Sequence, residues 1–248
     1  MDDVHADEAA RVLESWSRAA HAYVASRQDG PLALSSIYEP AIDELLGDVT
    51  GRRVLDAGCG DGHDARRLAG RGALVTAVDG SAEMLALARR HQGQDRIEYR
   101  VADLMAILPL ADTSFDAVLA NMVLMDLPRM DVALGEFARV LAGDGRFVLA
   151  VTHPCFFASE WVHDQHGVKL HKAVDAYLSS RVEELGFWGS TPHFHRPLSH
   201  YFDELTRHGF VVDALREPVP SDVQLEQHPE WDHHRRIPSF IVIRAVRR

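Results

Sequence analysis

The stretch that decides the fold runs from Arg52 to Gly70 and reads RRVLDAGCGDGHDARRLAG. It joins an apolar, strand-like run to a helix-like segment through three glycines, Gly58, Gly60 and Gly62. A glycine turn between a buried strand and a helix presents backbone N–H groups at a helix N-terminus, where many proteins hold a nucleotide-like cofactor. The sequence therefore predicts a cofactor site at this turn.

Strand-like and helix-like segments alternate on both sides of the turn. Strands are predicted at 52–58, 73–80, 97–103, 115–124 and 145–153, and helices at 64–72, 81–93 and 131–145, the second with Ser81 as its N-cap. This order is typical of a parallel sheet covered on both faces, in which ligands bind over the carboxyl ends of the strands. Function is therefore expected at Gly58, Asp79, Asp103, Asn121 and His153.

Segments before and after this alternation complete the predicted domain. A helix is predicted from Ala6 to about Arg27, followed by an interruption at Gly30 and Pro31 and a short helix within 38–49. Residues 154–197 are aromatic, rich in histidine and weakly periodic, which favours an insertion that caps the site. A helix (198–209), a strand (210–218), an acidic loop and a last strand (238–246) then resume the pattern. We expect one domain over 1–248, divided into N-terminal helices (1–50), a cofactor-binding core (51–153), the cap insertion (154–197) and the end of the sheet (198–248).

The amino-acid composition limits the kinds of molecule that we expect the protein to bind. The chain of 248 residues is 46% apolar, which is enough for a full core, and its net charge of −11 disfavours nucleic-acid binding. The acidic first ten residues have no apolar signal segment, and no run reaches the roughly 18 apolar residues that cross a bilayer. Cys59 and Cys155 lie in no metal-like spacing. We expect a cytoplasmic protein with reduced thiols, no membrane segment and no metal site.

A dinucleotide is the first cofactor to consider for the glycine turn. The G-x-G-x-x-G pattern set on Gly58 puts His63 at the third glycine, and set on Gly60 it ends at Ala65. It also leaves Asp56 without a partner at the end of an apolar strand, where a buried carboxylate costs several kcal/mol unless it is paired. A cofactor with an amino-acid tail would supply an ammonium group for Asp56.

Four linked segments carry a family resemblance. VLDAGCGDG (54–62) resembles motif I of the class I S-adenosylmethionine-dependent methyltransferases, and VTAVDGSAEML (75–85), RVADLMAILPLADTSFDAVLAN (100–121) and EFARVLAGDGRFVLA (136–150) continue the resemblance in order and spacing. It implies S-adenosylmethionine as cofactor and methyl transfer as the activity. It also implies a Rossmann-like, doubly wound α/β fold, with a seven-stranded sheet whose last strand is antiparallel and a cap built from the N-terminal helices and the insertion after strand five.

The resemblance implies a role for each matching residue at the cofactor. Asp56 would organise the glycine turn and face the methionine ammonium, while Gly58 and Gly60 would let the backbone approach closely. Asp79 would accept both ribose hydroxyls, and Gly80 would line that turn. The remaining cofactor contacts would be Met84 on the adenine face, Ala102, Asp103 and Leu104 at the adenine edge, Asn121 beneath the methionine, and Tyr23 closing over the cofactor.

The acceptor side departs from some relatives. Met125 stands where many of them have histidine, and no Asn-Pro-Pro-Tyr type of sequence follows Asn121, which disfavours methylation of nucleobases. If a hydroxyl or ammonium is methylated, a base must remove a proton, and histidine suits that role near neutral pH. We predict His153 as the first candidate and His195 as the second. For both, a capping or solvent-facing histidine that touches no substrate is the alternative.

Aromatic residues around the insertion favour a small, apolar or aromatic acceptor, since concavities with such walls bind molecules of that kind. We expect methyl transfer to oxygen or nitrogen of such a metabolite. A protein or tRNA methyltransferase, and a non-methylating cofactor-binding protein or cyclase on the same fold, remain alternatives. A homodimer also stays open.

Overall fold

A seven-stranded sheet organises the chain in the computed structural model, which describes residues 2–26, 31–91, 97–157 and 159–248. The strands are β1 (Arg53–Ala57), β2 (Leu74–Asp79), β3 (Ile97–Val101), β4 (Phe115–Asn121), β5 (Leu141–Thr152), β6 (Glu160–His163), β7 (Lys169–Ala173), β8 (Arg181–Leu185), β9 (Thr191–His195), β10 (Phe210–Arg216) and β11 (Phe240–Arg247). The helices are α1 (Asp2–Ala25), α2 (Ser35–Leu46), α3 (His63–Gly70), α4 (Ala82–Ala88), α5 (Asp131–Val140), α6 (Leu198–Arg207), α7 (Asp222–Gln227) and α8 (His233–Arg236). Short 3-10 helices lie at Pro31–Leu34, Leu124–Asp126 and Pro229–Trp231.

The order of strands in the main sheet is β3-β2-β1-β4-β5-β11-β10. Strands β1 to β5 pair in parallel, and β11 is antiparallel to both β5 and β10. This confirms the predicted doubly wound sheet with an antiparallel last strand. The order reverses beside β1, so the carboxyl ends of β1 and β4 form the crevice where ligands bind in such folds.

Both faces of the sheet are buried, as the apolar runs predict. Val54 and Leu119 pack in one core with residues of α2 and α3, whereas Leu55 and Val118 pack in another with Phe137 of α5. Successive residues of a strand point to opposite faces, so one run of apolar residues feeds both cores. The glycine turn after β1 is therefore fixed by packing on either side of the strand before it.

Several element bounds differ from the prediction. The helix predicted at 131–145 ends at Val140, and β5 begins at Leu141 with a bulge, since Phe115 pairs with Leu141 while Ala117 pairs with Arg146. Strand β4 ends at Asn121 rather than at 124, because Met122 takes a left-handed backbone with φ +56 and a 3-10 helix follows.

The first helix ends at Ala25, and α4 ends at Ala88. The predicted positions Arg27 and Gly30, like residues 92 and 93, lie outside the described part of the chain.

The segment predicted as an acidic loop contains helical structure. Ser221 caps α7 by accepting from the backbone N–H of Gln224, whose side chain accepts in turn from the Ser221 N–H, and α8 follows. The residues between β5 and α6 form two antiparallel hairpins, β6-β7 and β8-β9. Among the described residues, no helix combines the length and apolarity that a bilayer crossing needs.

A cluster of three phenylalanines ties the sheet to its helices. The Phe147 ring lies 5.3 Å from those of Phe137 and Phe210, and its side chain is fully buried. We expect Phe147→Ala to lower the free energy of unfolding by about 3–5 kcal/mol, because a large cavity opens between β5, α5 and β10. Leu178→Ala, at a side chain that is 77% exposed, serves as the control and should change it by less than about 0.5 kcal/mol in urea denaturation. Equal effects of the two substitutions would contradict this assignment.

Candidate active site

The glycine turn leaves β1 in a conformation that depends on glycine. Gly58, Gly60 and Gly62 have φ values of +73, +52 and +73. The N–H groups of Gly58 and Cys59 both donate to the Val78 carbonyl, at 2.8 and 2.9 Å, which holds the turn against β2. A Cβ at Gly58 would lie 2.5 Å from Cγ2 of Val123, so no side chain fits there without movement. The Val123 side chain therefore packs directly on the backbone of the glycine turn.

Asp79, at the end of β2, links this turn to the next one. One carboxylate oxygen accepts from the Gly60 N–H and the other from the Ser81 N–H, both at 2.8 Å. Burial raises the pKa of Asp79, and the two N–H donors oppose that rise. Ser81 in turn caps α4 by accepting from the Met84 N–H, which confirms the predicted N-cap. One carboxylate thereby fixes two turns of the site.

Two polar atoms near the crevice are buried and unpaired. Oδ2 of Asp56 and Oδ1 of Asn121 have no hydrogen-bond partner among the described residues. Burial raises the pKa of Asp56 well above its usual value, Asp64 raises it further and Arg67 lowers it. Oxygen atoms in this state suit a cationic donor, because a positive charge reverses the effect of burial on a carboxylate. These two acceptor oxygens fit the ammonium group of a cofactor with an amino-acid tail, which would donate to them.

A cavity of about 380 Å³ lies over the carboxyl ends of the sheet. Asp56 and Ala102 are absent from its described lining; the Ala102 N–H instead donates to the Asp79 carbonyl at 3.0 Å. The other predicted cofactor residues all line the cavity: Tyr23, Gly58, Gly60, Asp79, Gly80, Met84, Asp103, Leu104 and Asn121.

Helix α1 covers the cofactor side of the cavity. A Cβ at Gly80 would lie 2.7 Å from Cδ1 of Leu13, so the helix approaches the turn after β2 closely. Ser17 donates a hydrogen bond to Oγ of Ser81 at 3.0 Å. The ring of Tyr23 passes 3.8 Å from the position that a Cβ at Gly60 would take. The structure therefore brings Tyr23 to the glycine turn, as the resemblance implies.

Three aromatic rings join α1 to the loop between β8 and β9. Trp188 lies 5.0 Å from Tyr23 and 5.7 Å from Trp16, measured between ring centroids, and its indole N–H donates to Oγ of Ser26 at 2.8 Å. All three rings line the cavity. The hairpin and the helix thus meet over the site.

Beyond the predicted cofactor residues, the walls of the cavity are mostly apolar. This part of the lining includes Met125, Leu127, Phe157, Leu185, Phe187 and Phe240. Thr152, Asp126 and His193 are polar residues of the same part. Burial raises the pKa of Asp126 well above its usual value, and the nearby Arg196 lowers it. We call this region the acceptor end.

Neither predicted catalytic histidine lines the described cavity. Nε2 of His153 lies 2.8 Å from a carboxylate oxygen of Glu217, and Nδ1 of the same ring accepts from the Cys155 N–H. His195 places its Nε2 2.9 Å from the Tyr177 carbonyl. The expectation that His153 points into the site is not met, because its ring turns toward the segment after β10. A catalytic role for either residue stays a prediction that this geometry does not favour.

Sequence reasoning missed His193, which does line the cavity. It lies two residues before His195 in the same short strand, so the HFH pattern offered both histidines without distinguishing them. Burial, followed by His195, Arg196 and Arg181, lowers the pKa of His193 to about 4. The imidazole is therefore neutral near pH 7.

The sheet order and the glycine turn with its acids define a class I S-adenosylmethionine-dependent methyltransferase fold. Residues 55–149 match the family described as Methyltransferase domain. The chain thus contains a methyltransferase domain of this class, and S-adenosylmethionine is the cofactor of the class.

Proteins that are similar to this chain are also named as methyltransferases. A solved S-adenosylmethionine-dependent methyltransferase from Mesorhizobium loti is 29% identical, with a TM-score of 0.77, over 86% of this chain and 98% of that one. A demethylmenaquinone methyltransferase of Tropheryma whipplei is 32% identical over 63% of this chain and 65% of its own length. A malonyl-(acyl-carrier protein) O-methyltransferase of Enterobacter lignolyticus is 43% identical over 44% and 43%. The chain thus spans less than two thirds of these two curated relatives.

The contribution of the Gly58–Val123 contact to stability can be measured separately from that of the left-handed backbone at Gly58. Gly58 and Gly51 both have positive φ, but a Cβ at Gly51 meets no atom within 4 Å. Gly51→Ala should lower the free energy of unfolding by about 1–2 kcal/mol, the typical penalty of the left-handed conformation. Gly58→Ala should lower it further, because it adds the clash with Val123. Thermal and urea unfolding of both variants measure the difference, and equal losses would exclude the close contact.

Proposed function

We propose that this protein transfers a methyl group from S-adenosylmethionine to oxygen or nitrogen of a small, apolar or aromatic molecule. The observation that carries the proposal is the continuity of one cavity, which runs from Asp79 and the glycine turn to the apolar acceptor end. The two ends match the two reactants of such a transfer in chemistry. The demethylmenaquinone methyltransferase among the relatives supports an acceptor of this kind.

The residues that would hold the cofactor follow from the site. Asp79 would accept hydrogen bonds from the ribose hydroxyls while it keeps the Gly60 and Ser81 N–H groups in place. The unpaired oxygen of Asn121, which lines the cavity, would accept from the ammonium group, and that of Asp56, which lies outside the described lining, would accept through water. Bound there, S-adenosylmethionine would supply a methyl group on a positively charged sulfur. Around the adenine, the contacts would be Met84, Asp103 and Leu104.

Alignment is the main contribution expected from the protein. Holding two reactants in line supplies roughly 7 to 11 kcal/mol of the barrier in well-oriented systems. The apolar walls at the acceptor end would exclude water and leave one approach to the methyl carbon. We further propose that α1, α2 and the two hairpins act together as the cap that closes this space.

Two alternative functions are compatible with the same fold. A protein or tRNA substrate is disfavoured because the lining is mostly apolar and the net charge is −11. A cofactor-binding protein that transfers no methyl group would bind the cofactor but form no methylated product with a broad panel of phenols, amines and acids. Cytoplasmic location and dimerisation stay predictions.

Isothermal calorimetry with S-adenosylhomocysteine tests the cofactor site. Wild-type protein should bind it, and Asp79→Asn should bind at least about tenfold more weakly, because hydrogen bonds to a charged acceptor contribute about 1.5–3 kcal/mol each. Asp116→Asn is the matched control: Asp116 lies at the opposite end of β4, paired with Arg53, and its loss should leave the affinity unchanged.

Circular dichroism and melting curves of both variants distinguish weaker binding from misfolding, since Asp79 also holds two turns. Wild-type protein that does not bind S-adenosylhomocysteine, or a folded Asp79→Asn with unchanged affinity, would refute the proposed site.

A further inference from the structure

His193 has the properties of a side chain that hydrogen-bonds to a bound ligand. Its side chain is 3% exposed, lines the acceptor end and packs on Phe157, with the ring centroids 4.6 Å apart and the planes tilted by 37°. Its Nδ1 is buried and has no hydrogen-bond partner among the residues the structure covers. A neutral imidazole offers one donor and one acceptor, and a buried polar atom without a partner costs about 1–3 kcal/mol. A protic group of the acceptor would remove that penalty.

Asp126 reaches the same end of the cavity from a neighbouring element. Its 3-10 helix packs against β9, the strand that carries His193. The Arg196 guanidinium donates to the carbonyls of Leu124 and Leu127, which fixes the backbone on both sides of Asp126. Because Arg196 donates to these carbonyls, it stabilises the backbone around Asp126. Arg196 is not part of the described lining.

The charges around the acceptor end limit the acceptor. Asp79, Asp103 and Asp126 line the cavity, and the described lining contains no lysine or arginine. A carboxylate or phosphate acceptor would lose its hydration among apolar walls that offer no lysine or arginine to pair with it, which is unfavourable. A cationic acceptor would also lose its hydration there, as the His193 imidazolium does, since burial is the main cause that lowers the pKa of His193. An uncharged protic group meets neither penalty.

We infer that the acceptor group is an uncharged hydroxyl on an aromatic ring, and that the His193 imidazole accepts its proton. This inference rests on the proposed methyl transfer and names the chemical class of its acceptor. The aromatic ring is chosen because its faces match Phe157, Phe187 and Phe240 on the walls. Asp126 orients the hydroxyl or the imidazole from the neighbouring turn.

The proton and electron balance of this step is simple. The hydroxyl oxygen forms its bond to the methyl carbon with its own lone pair, and the carbon–sulfur bond breaks with its electron pair going to sulfur. The hydroxyl proton passes to the imidazole, which becomes imidazolium and later releases it to solvent. Because the oxygen becomes far more acidic as it gains the methyl group, an imidazole of lowered pKa can take the proton, and the apolar walls would exclude water from that role.

The test compares 2-naphthol with 2-naphthoic acid on protein saturated with S-adenosylhomocysteine, using calorimetry at pH 7. Wild-type protein should bind the naphthol at least about tenfold more tightly than the acid. His193→Phe keeps an aromatic ring against Phe157 but loses the nitrogens, and it should weaken naphthol binding by about tenfold. His171→Asn, at an exposed histidine of β7, should change nothing.

His193→Asn distinguishes proton transfer from simple positioning. An asparagine oxygen accepts a hydrogen bond but takes no proton near neutral pH, so naphthol binding should change by less than about threefold. Formation of methyl naphthyl ether with S-adenosylmethionine should slow by about a hundredfold or more. Unchanged affinity for S-adenosylhomocysteine shows that each variant is folded.

The outcomes separate this inference from the proposed function. Binding of S-adenosylhomocysteine with no binding of naphthol, equal binding of naphthol and naphthoic acid, or full activity of His193→Phe would each overturn the inference and leave the cofactor site standing. An asparagine variant with wild-type turnover would refute proton transfer to His193. Absence of S-adenosylhomocysteine binding would instead refute the proposed function itself.

Discussion

The structure of the site depends on a single carboxylate that accepts from two turns. Asp79 receives the Gly60 N–H on one oxygen and the Ser81 N–H on the other, both at 2.8 Å. The first contact places the glycine turn after β1, and the second starts α4 after β2. Because Asp79 ends a strand buried between β1 and β3, the sheet transmits its rigidity to both turns. Without this acid the Gly60 and Ser81 N–H groups would lose their shared acceptor, while the Val78 carbonyl would still hold the glycine turn to β2.

The two ends of the cavity are built by different parts of the chain. Strand ends supply the cofactor side, where position is set by pairing within the sheet. The acceptor end is completed by segments outside the sheet's parallel core, namely the 3-10 helix after β4 and the β8-β9 hairpin, which pack against each other. This division lets the cofactor side stay fixed while changes in the hairpin alter which molecule fits beside it. His193 and Trp188, both from this hairpin region, show how much of the wall it provides.

The sequence predicted the cofactor side of the cavity better than it predicted the acceptor end. The core strands and the residues around Gly58 and Asp79 could be predicted, since long apolar runs and glycine turns report local constraints. The bounds of β5 could not, because its first residues join the sheet through a bulge that depends on pairing with Phe115. Helix α7 had a readable signal in the Ser221 and Gln224 capping box, which the acidic composition obscured. His153 and His195 were preferred over His193 because the direction of a side chain in a short hairpin is set by tertiary contacts, which spacing does not reveal.

The acidic character of the cavity wall has a consequence for turnover. Asp79 and Asp103 line its cofactor side, and no lysine or arginine lines the cavity among the residues described. Such a wall attracts a positively charged sulfonium through a medium of low dielectric constant. Once the methyl group has left, the remaining thioether is uncharged and that attraction is gone. The same carboxylates that favour loading would therefore discriminate against the spent nucleoside and ease its exchange for a fresh one.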